Sequence, residues 1–251
     1  MVGWKIADWL QQQCKANGDE IVGLVLHPTE KRRYGVEIIH SLSIDPAQVI
    51  DGSRLREPET IEAIKALQPD LGISILFGYI LRAELLHVLP KGCINLHPSL
   101  LPYNRGAYPN VWSIIDRTPS GVTLHYIDEG VDTGDIIAQR QVEVEPVDTG
   151  KSLYQKLEQT CIDLFQDAWP GFRAGEIAHQ SQSSDAGTSH RVRDTEKVDE
   201  IDLDRSYTAR ELIDILRART FPPYHGAYFR DGDRKVYMRL QLYYEDDGPD
   251  T

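Results

Sequence analysis

Apolar residues recur at Ile6, Leu10 and Cys14, four positions apart, with Trp9 beside them, and the run stops at Asn17-Gly18. That spacing predicts a helix over 4–18 with a C-terminal stop. IVGLVLH (21–27) is short and β-branched and predicts a buried strand. Residues 28–57 show no clear period. PETIEAIKALQPD (58–70) opens on proline, spaces Ile61, Ile64 and Leu67 helically, and stops before Pro69. LGISILF (71–77) and CIN (93–95) read as strands, PNVWSIID (109–116) as a helix, and VTLHYI (122–127) and DIIAQRQVEV (135–144) as strands. The longest helical period, GKSLYQKLEQTCIDLFQDAW (150–169), carries Leu153, Leu157, Ile162 and Phe165.

This alternation predicts an α/β fold: a Rossmann-like, mostly parallel sheet with helices on both faces. Met1-Val2-Gly3 runs straight into the first helix, so either the usual opening strand is absent or the chain starts beyond it. After residue 173 the composition shifts. AGEIAHQSQSSDAGTSHR (174–191) is polar and serine-rich, as a loop is. YTARELIDILRAR (207–219) predicts a helix, and AYFRDGDRKVYMRLQLYY (227–244) a hairpin about Asp231-Gly232. The expected organisation is a core over 1–173, a linker over 174–206 and a small C-terminal α+β subdomain over 207–251.

Composition narrows the function. The 251 residues are 41% hydrophobic and 26% charged, an ordinary globular balance, and the net charge is −12. A nucleic-acid partner is therefore not expected, since such binding needs a basic footprint. Cys14, Cys93 and Cys161 lie far apart, which suggests neither a disulfide framework nor a zinc site. No stretch reads as a membrane span or signal peptide, so the expectation is a cytoplasmic protein with no membrane partner.

The chemistry concentrates in two segments. In INLHPSLLPYNRG (94–106), a strand period of two turns Asn95 and His97 to one face, and Pro98 ends the ladder. In IDEGVDTGD (127–135), glycines flank Val131-Asp132-Thr133 and let the backbone approach a ligand closely. If the two segments meet, Asn, His and Asp suit acyl transfer to an amine. The amide donates to the oxyanion, the imidazole moves the amine proton, and the carboxylate orients the imidazole in its charged form. No covalent nucleophile is needed. Calcium at Asp128, Glu129, Asp132 and Asp135 is disfavoured, because the EF-hand spacing is missing, and no metal is expected. His125, on an alternating strand, is expected to be structural.

NLHPSLLP with the following NRG, and then GVTLHYIDEGVDTGD, resembles the formyltetrahydrofolate-dependent formyltransferases, most closely over residues 60 to 145. The resemblance implies that Asn95, His97 and Asp132 form the catalytic trio and that the formyl donor is 10-formyltetrahydrofolate. It further implies that backbone groups of Tyr79, Ile80 and Leu81, and of Asp128, Glu129, Gly130, Val131 and Asp132, hold the pterin. Some sugar-formylating relatives carry a cofactor-site arginine where this chain has Ala107.

Methionyl-tRNA formyltransferases carry a larger C-terminal domain and usually a basic surface, and glycinamide ribonucleotide formyltransferases usually end soon after the long helix. RTFPPYHGAYF (219–229) with its hairpin resembles the sugar N-formyltransferases instead. The expected acceptor is thus the amine of a dTDP- or GDP-linked aminodeoxy sugar for surface polysaccharide. Ser99, Tyr103, Asn104 and Arg105 are the candidates to touch it, Arg105 because its planar fork suits a diphosphate. A homodimer through the C-terminal hairpin is expected by the same resemblance. The alternatives are a methionyl-tRNA or glycinamide ribonucleotide formyltransferase and, in another class, a truncated, non-catalytic folate-binding relative, against which stands the presence of all three trio residues.

Overall fold

The computed structural model describes residues 1–183 and 186–248. In chain order its elements begin with α1 (Val2–Asn17), β1 (Leu24–Leu26), α2 (Gly35–Leu42), β2 (Val49–Asp51), α3 (Pro58–Ala66), β3 (Gly72–Ile75) and α4 (Ala83–Leu86). Next come β4 (Cys93–His97), β5 (Arg105–Gly106), α5 (Pro109–Ile115), β6 (Gly121–Tyr126), β7 (Ile136–Gln141) and α6 (Gly150–Arg173). The chain closes with β8 (Ser189–His190), α7 (Glu196–Asp199), α8 (Ala209–Ala218), β9 (Tyr228–Asp231) and β10 (Arg234–Tyr237). Among the described residues no helix is long and apolar enough to cross a membrane.

Local chemistry sets several boundaries. Gly18 takes φ 74 and its N–H donates to the Cys14 carbonyl at 2.9 Å, closing α1 with a left-handed cap. Thr208 and Glu211 form a reciprocal capping box at the start of α8. The unreadable stretch 28–57 resolves into one eight-residue helix, a three-residue strand and two 3-10 turns. Elements that short, bounded by left-handed Tyr34 and Ser43, leave no period to read. Helix α6 runs past Pro170 to Arg173, beyond the sequence expectation. In the hairpin, Asp231 pairs with Arg234, so Gly232 (φ 58) and Asp233 are the central residues of the turn.

The chain divides into two compact units that interleave along the sequence. The first holds Met1–His97, Thr123–Gln139 and Cys161–Gln182. Within it β1 pairs parallel with β2, and a separate four-stranded sheet has the order β3-β4-β6-β7. Strand direction changes at β4, which is parallel to β3 and antiparallel to β6; an antiparallel partner on an otherwise parallel sheet is common in doubly wound folds. Ile94 and Leu96 of β4 and Leu124 of β6 are buried to 1% exposure or less. A second cluster joins Leu55, Ile64 and Leu85 to Val25, Ile50, Ile61, Phe77, Leu81 and Val88, so α3 and α4 pack beside β1 and β2.

The second unit holds Pro98–Val122, Arg140–Thr160 and the described residues from Ser183 onward. There α5 packs on α8. Buried Arg217 donates to Asp214 at 2.8 Å and to the carbonyls of Glu145 and Asp148 at 3.0 and 3.1 Å. Asn110 donates to the Gly150 carbonyl at 2.8 Å. A Cβ on Gly150 would stand 2.1 Å from the Ala218 carbonyl oxygen, which explains a glycine there. The polar stretch after residue 173 is held by backbone pairing: Gln180 bridges Ile136 in the first unit, and β8 pairs parallel with β5 in the second.

Truncating Ile94 to alanine removes buried methylenes from the strand that carries the site, and should lower unfolding stability by about 3 kcal/mol in urea titration. A loss below about 1 kcal/mol would show that β4 is not a stability-limiting element.

Candidate active site

The five residues of β4 alternate between two faces, and the face that carries Asn95 and His97 also carries a partner from β6. Antiparallel register sets Asn95 opposite His125, so their side chains share one side of the sheet. Asn95 Nδ2 lies 3.1 Å from His125 Nε2, and His125 Nδ1 lies 2.7 Å from the Tyr126 carbonyl oxygen. A carbonyl only accepts, so Nδ1 carries the proton and Nε2 accepts from the Asn95 amide. The tautomer of His125 thereby orients Asn95, whose amide has a second N–H for a ligand oxygen.

Asp132 reaches the same face from the loop after β6. One carboxylate oxygen stands 3.6 Å from His97 Nε2 and the other 3.6 Å from His125 Nε2. The two imidazoles are perpendicular, with ring centres 6.3 Å apart. His97 and His125 are buried, and Asp132 keeps 14% of its side chain exposed, so the cluster opens to solvent at the carboxylate. Burial pushes His125 below the ordinary imidazole range; Asp132 pulls the other way and His97 adds to the depression. His125 is thus held neutral at neutral pH.

The loop itself is shaped for this. Asp132 has φ 55, a left-handed conformation that aspartate tolerates better than most residues. Asp128 accepts from the Gly130 N–H at 3.0 Å and from the Thr133 hydroxyl at 2.6 Å. A Cβ on Gly134 would stand 2.0 Å from the Tyr126 carbonyl oxygen, so only glycine lets the loop fold back against β6. Gln182 donates to the carbonyls of Asp132 and Gly134.

Of the expected pterin-holding residues, Ile80 and Val131 are exposed apolar side chains, and Asp128, Glu129 and Gly130 are exposed as well. Tyr79 and Leu81 are half-buried, Leu81 against the cluster around α3 and Tyr79 beside His27 with ring centres 5.2 Å apart. His27 Nε2 accepts from the Gly78 N–H at 3.2 Å, and burial lowers its proton affinity, which preserves that acceptor.

The four acceptor-site candidates fall in the second unit. Asn104 is fully buried, and its amide donates to Ser113 and Thr118 at 3.0 and 2.7 Å. Its oxygen accepts from the Thr188 hydroxyl at 3.0 Å, so its side chain is committed to holding the 98–106 loop together. Ser99 is buried, while Tyr103 and Arg105 are half-buried. Arg105 lies in β5, where its N–H donates to the Thr188 carbonyl at 2.9 Å.

Among the described residues no group of three or more His, Cys, Asp or Glu is placed to hold a metal ion, and Asp135 pairs with His179 at 2.6 Å. Burial pushes the Cys93 thiol up to about 12, so it stays protonated and is no nucleophile. Sequence reasoning missed the contribution of His125, whose only signal is the cross-strand register, and that of Gln182, which sits in a stretch read as linker.

A histidine held neutral by burial takes up its proton at lower pH folded than unfolded. The unfolded chain therefore binds more protons just below pH 6.5, the ordinary histidine value, and unfolding stability falls as pH drops through that range. His27 and His190 are shifted the same way by burial. Replacing His125 by Gln should flatten the decline in denaturant midpoint between about pH 7 and pH 5. An unchanged slope would mean that His125 takes up its proton as readily in the folded protein as in the unfolded chain.

Residues 8–168 match the formyl transferase family, and residues 194–244 match the N-formyltransferase dimerization C-terminal domain. The chain is 33% identical over 233 residues to the methionyl-tRNA formyltransferase of Geotalea daltonii, covering 89% of this chain and 72% of that protein. Its structure is similar to that of a sugar N-formyltransferase from a Shewanella species, with TM-score 0.79 and 27% identity over 95% of this chain and 94% of the other. It is also similar to a formyltransferase from Anoxybacillus kamchatkensis in complex with UDP-4,6-dideoxy-4-formamido-L-AltNAc and tetrahydrofolate. There the TM-score is 0.54 and the identity 34%, over 69% of this chain and 87% of the other. Since the matched region spans Asn95, His97, His125 and Asp132, the chain belongs to the formyl transferase family and is a formyltransferase.

Proposed function

We propose that this formyltransferase moves a formyl group from 10-formyltetrahydrofolate to the primary amine of a nucleotide-linked aminodeoxy sugar, with dTDP or GDP as carrier, for surface polysaccharide. The observation that carries the reading is the likeness to a sugar N-formyltransferase over nearly the whole of both chains, C-terminal segment included. The UDP-sugar bound to the Anoxybacillus kamchatkensis protein adds UDP to the carriers worth testing. A cytoplasmic reaction fits these proposed substrates, and the match of residues 194–244 favours a homodimer.

In this reading the amine attacks as the neutral base. Its nitrogen bonds to the formyl carbon, whose oxygen takes up the negative charge of a tetrahedral intermediate, and the bond from that carbon to N10 of the folate breaks as the intermediate collapses. His97 takes the proton released by the amine and returns it to the departing nitrogen, with Asp132 stabilising the imidazolium between the two transfers. Asn95, oriented by His125, donates to the oxyanion as it develops. Backbone groups of Tyr79–Leu81 and of the Asp128–Asp132 loop hold the pterin, and Ile80 and Val131 supply apolar surface. Tyr103 and Arg105 contact the acceptor, and Ser99 and Asn104 shape the loop that presents them. No step requires a covalent enzyme intermediate or a metal.

The identity to a methionyl-tRNA formyltransferase favours tRNA as a second reading. The net charge of −12 opposes it, because tRNA binding is dominated by phosphate contacts.

The test is product formation, by mass spectrometry, with 10-formyltetrahydrofolate and a panel of dTDP-, GDP- and UDP-linked 3- and 4-amino sugars, glycinamide ribonucleotide and methionyl-tRNA. A formylated amino sugar is expected; formylated methionyl-tRNA alone would overturn the acceptor assignment. His97→Ala should lower kcat by roughly 10²–10⁴-fold while folate binding persists. Near-normal turnover in that variant would remove His97 from the proton path.

A further inference from the structure

The loop that carries Asp132 is closed by two separate devices, and only the first lies within the loop. The Asp128 carboxylate gathers the Gly130 N–H and the Thr133 hydroxyl and so fixes the approach to Asp132. The exit is fixed from a distant part of the chain. Gln182 Nε2 lies 3.0 Å from the Asp132 carbonyl oxygen and 2.7 Å from that of Gly134. A carboxamide nitrogen has two hydrogens, one for each carbonyl, and the two carbonyls flank Thr133.

Gln182 is itself anchored. Two residues earlier, Gln180 forms an antiparallel bridge with Ile136, with both N–H···O contacts at 2.8 Å. Just before it, His179 Nδ1 meets Asp135 at 2.6 Å. The amide is thus held against the loop by contacts on the loop's far side, at the start of β7. Asp132 needs such support. At φ 55 its backbone occupies a region that side-chain-bearing residues rarely adopt, and small changes there swing the carboxylate away from its 3.6 Å stations beside His97 and His125.

We infer that Gln182 is a positioning residue for formyl transfer: its amide clamps the carbonyls of Asp132 and Gly134 and so holds the Asp132 carboxylate between His97 and His125. The inference rests on the proposed roles of Asp132 and His97, and it gives the polar stretch after α6 a task in the reaction. Gln182→Leu keeps the size and loses both donors. Gln182→Glu keeps the shape and sets a carboxylate against two carbonyl oxygens. Asp132 and His97 themselves are untouched in either variant.

Two measurements decide it. The first is steady-state kinetics of Gln182→Leu and Gln182→Glu, alone and combined with Asp132→Asn. A misplaced carboxylate should lower kcat by roughly 10–100-fold with the acceptor KM within about twofold. In the Asp132→Asn background the Gln182 changes should add little, because the group they position is already gone. Equal losses in both backgrounds, or kcat unchanged in Gln182→Leu, would overturn the inference. The second is a pair of crystal structures, parent and Gln182→Leu, which needs no turnover. Residues 130–134 are expected to shift and the His97–Asp132 contact to lengthen; a superimposable loop would overturn the inference whatever the acceptor proves to be. If the parent protein formylates nothing on the panel, the acceptor reading fails while the crystal pair still decides the role of Gln182.

Discussion

The antiparallel pairing of β4 with β6 places Asn95 across from His125, and the site depends on that register. A slip of one residue would send the His125 side chain to the opposite face, leaving the Asn95 amide without its acceptor. It would also move the loop after β6, and with it Asp132. The pairing is secured by the residues between the polar ones: Ile94, Leu96 and Leu124 are buried on strands whose other positions carry Asn95, His97 and His125. Packing on one face and polar function on the other are set by the same alternation.

Burial and hydrogen bonding give the two histidines of the cluster different surroundings. His125, fully buried and bonded through Nδ1 to a backbone carbonyl, is kept neutral and serves as an acceptor. His97 faces the other oxygen of the same carboxylate, at the end of the strand where Pro98 stops the ladder. One carboxylate therefore stands between a neutral imidazole fixed by two hydrogen bonds and a second imidazole at the end of the strand.

Much of this was legible in the sequence, for identifiable reasons. Helix α1, helix α6 and the strand at Asn95 carry periods long enough to read, and Pro98 and Gly18 punctuate them. The formyltransferase resemblance rested on Asn95, His97 and the Asp128–Gly134 loop, and the family match spans them all. The structure brings the three polar residues to one place. What escaped reading was non-local or short. His125 looked like an ordinary inward residue of a strand, because the residue across from it is set by register. Gln182 lies in a stretch whose composition signals a loop, yet its partners lie 50 and 48 residues away in sequence. Asn104 looked like a ligand contact and proved to be an internal brace, since burial cannot be seen from a loop sequence. Residues 28–57 hid a helix and a strand too brief to leave a pattern.

We propose that one sheet face of this formyltransferase holds an amine and a formyl donor between Asn95, His97 and Asp132. A crystal structure with a tetrahydrofolate derivative and a nucleotide-linked amino sugar tests it most directly. The sugar amine is expected within hydrogen-bonding distance of His97, and the formyl oxygen, or the group standing in for it, facing the Asn95 amide. A ternary complex with the amine held away from His97, or with the pterin outside the Tyr79–Leu81 and Asp128–Asp132 loops, would contradict it.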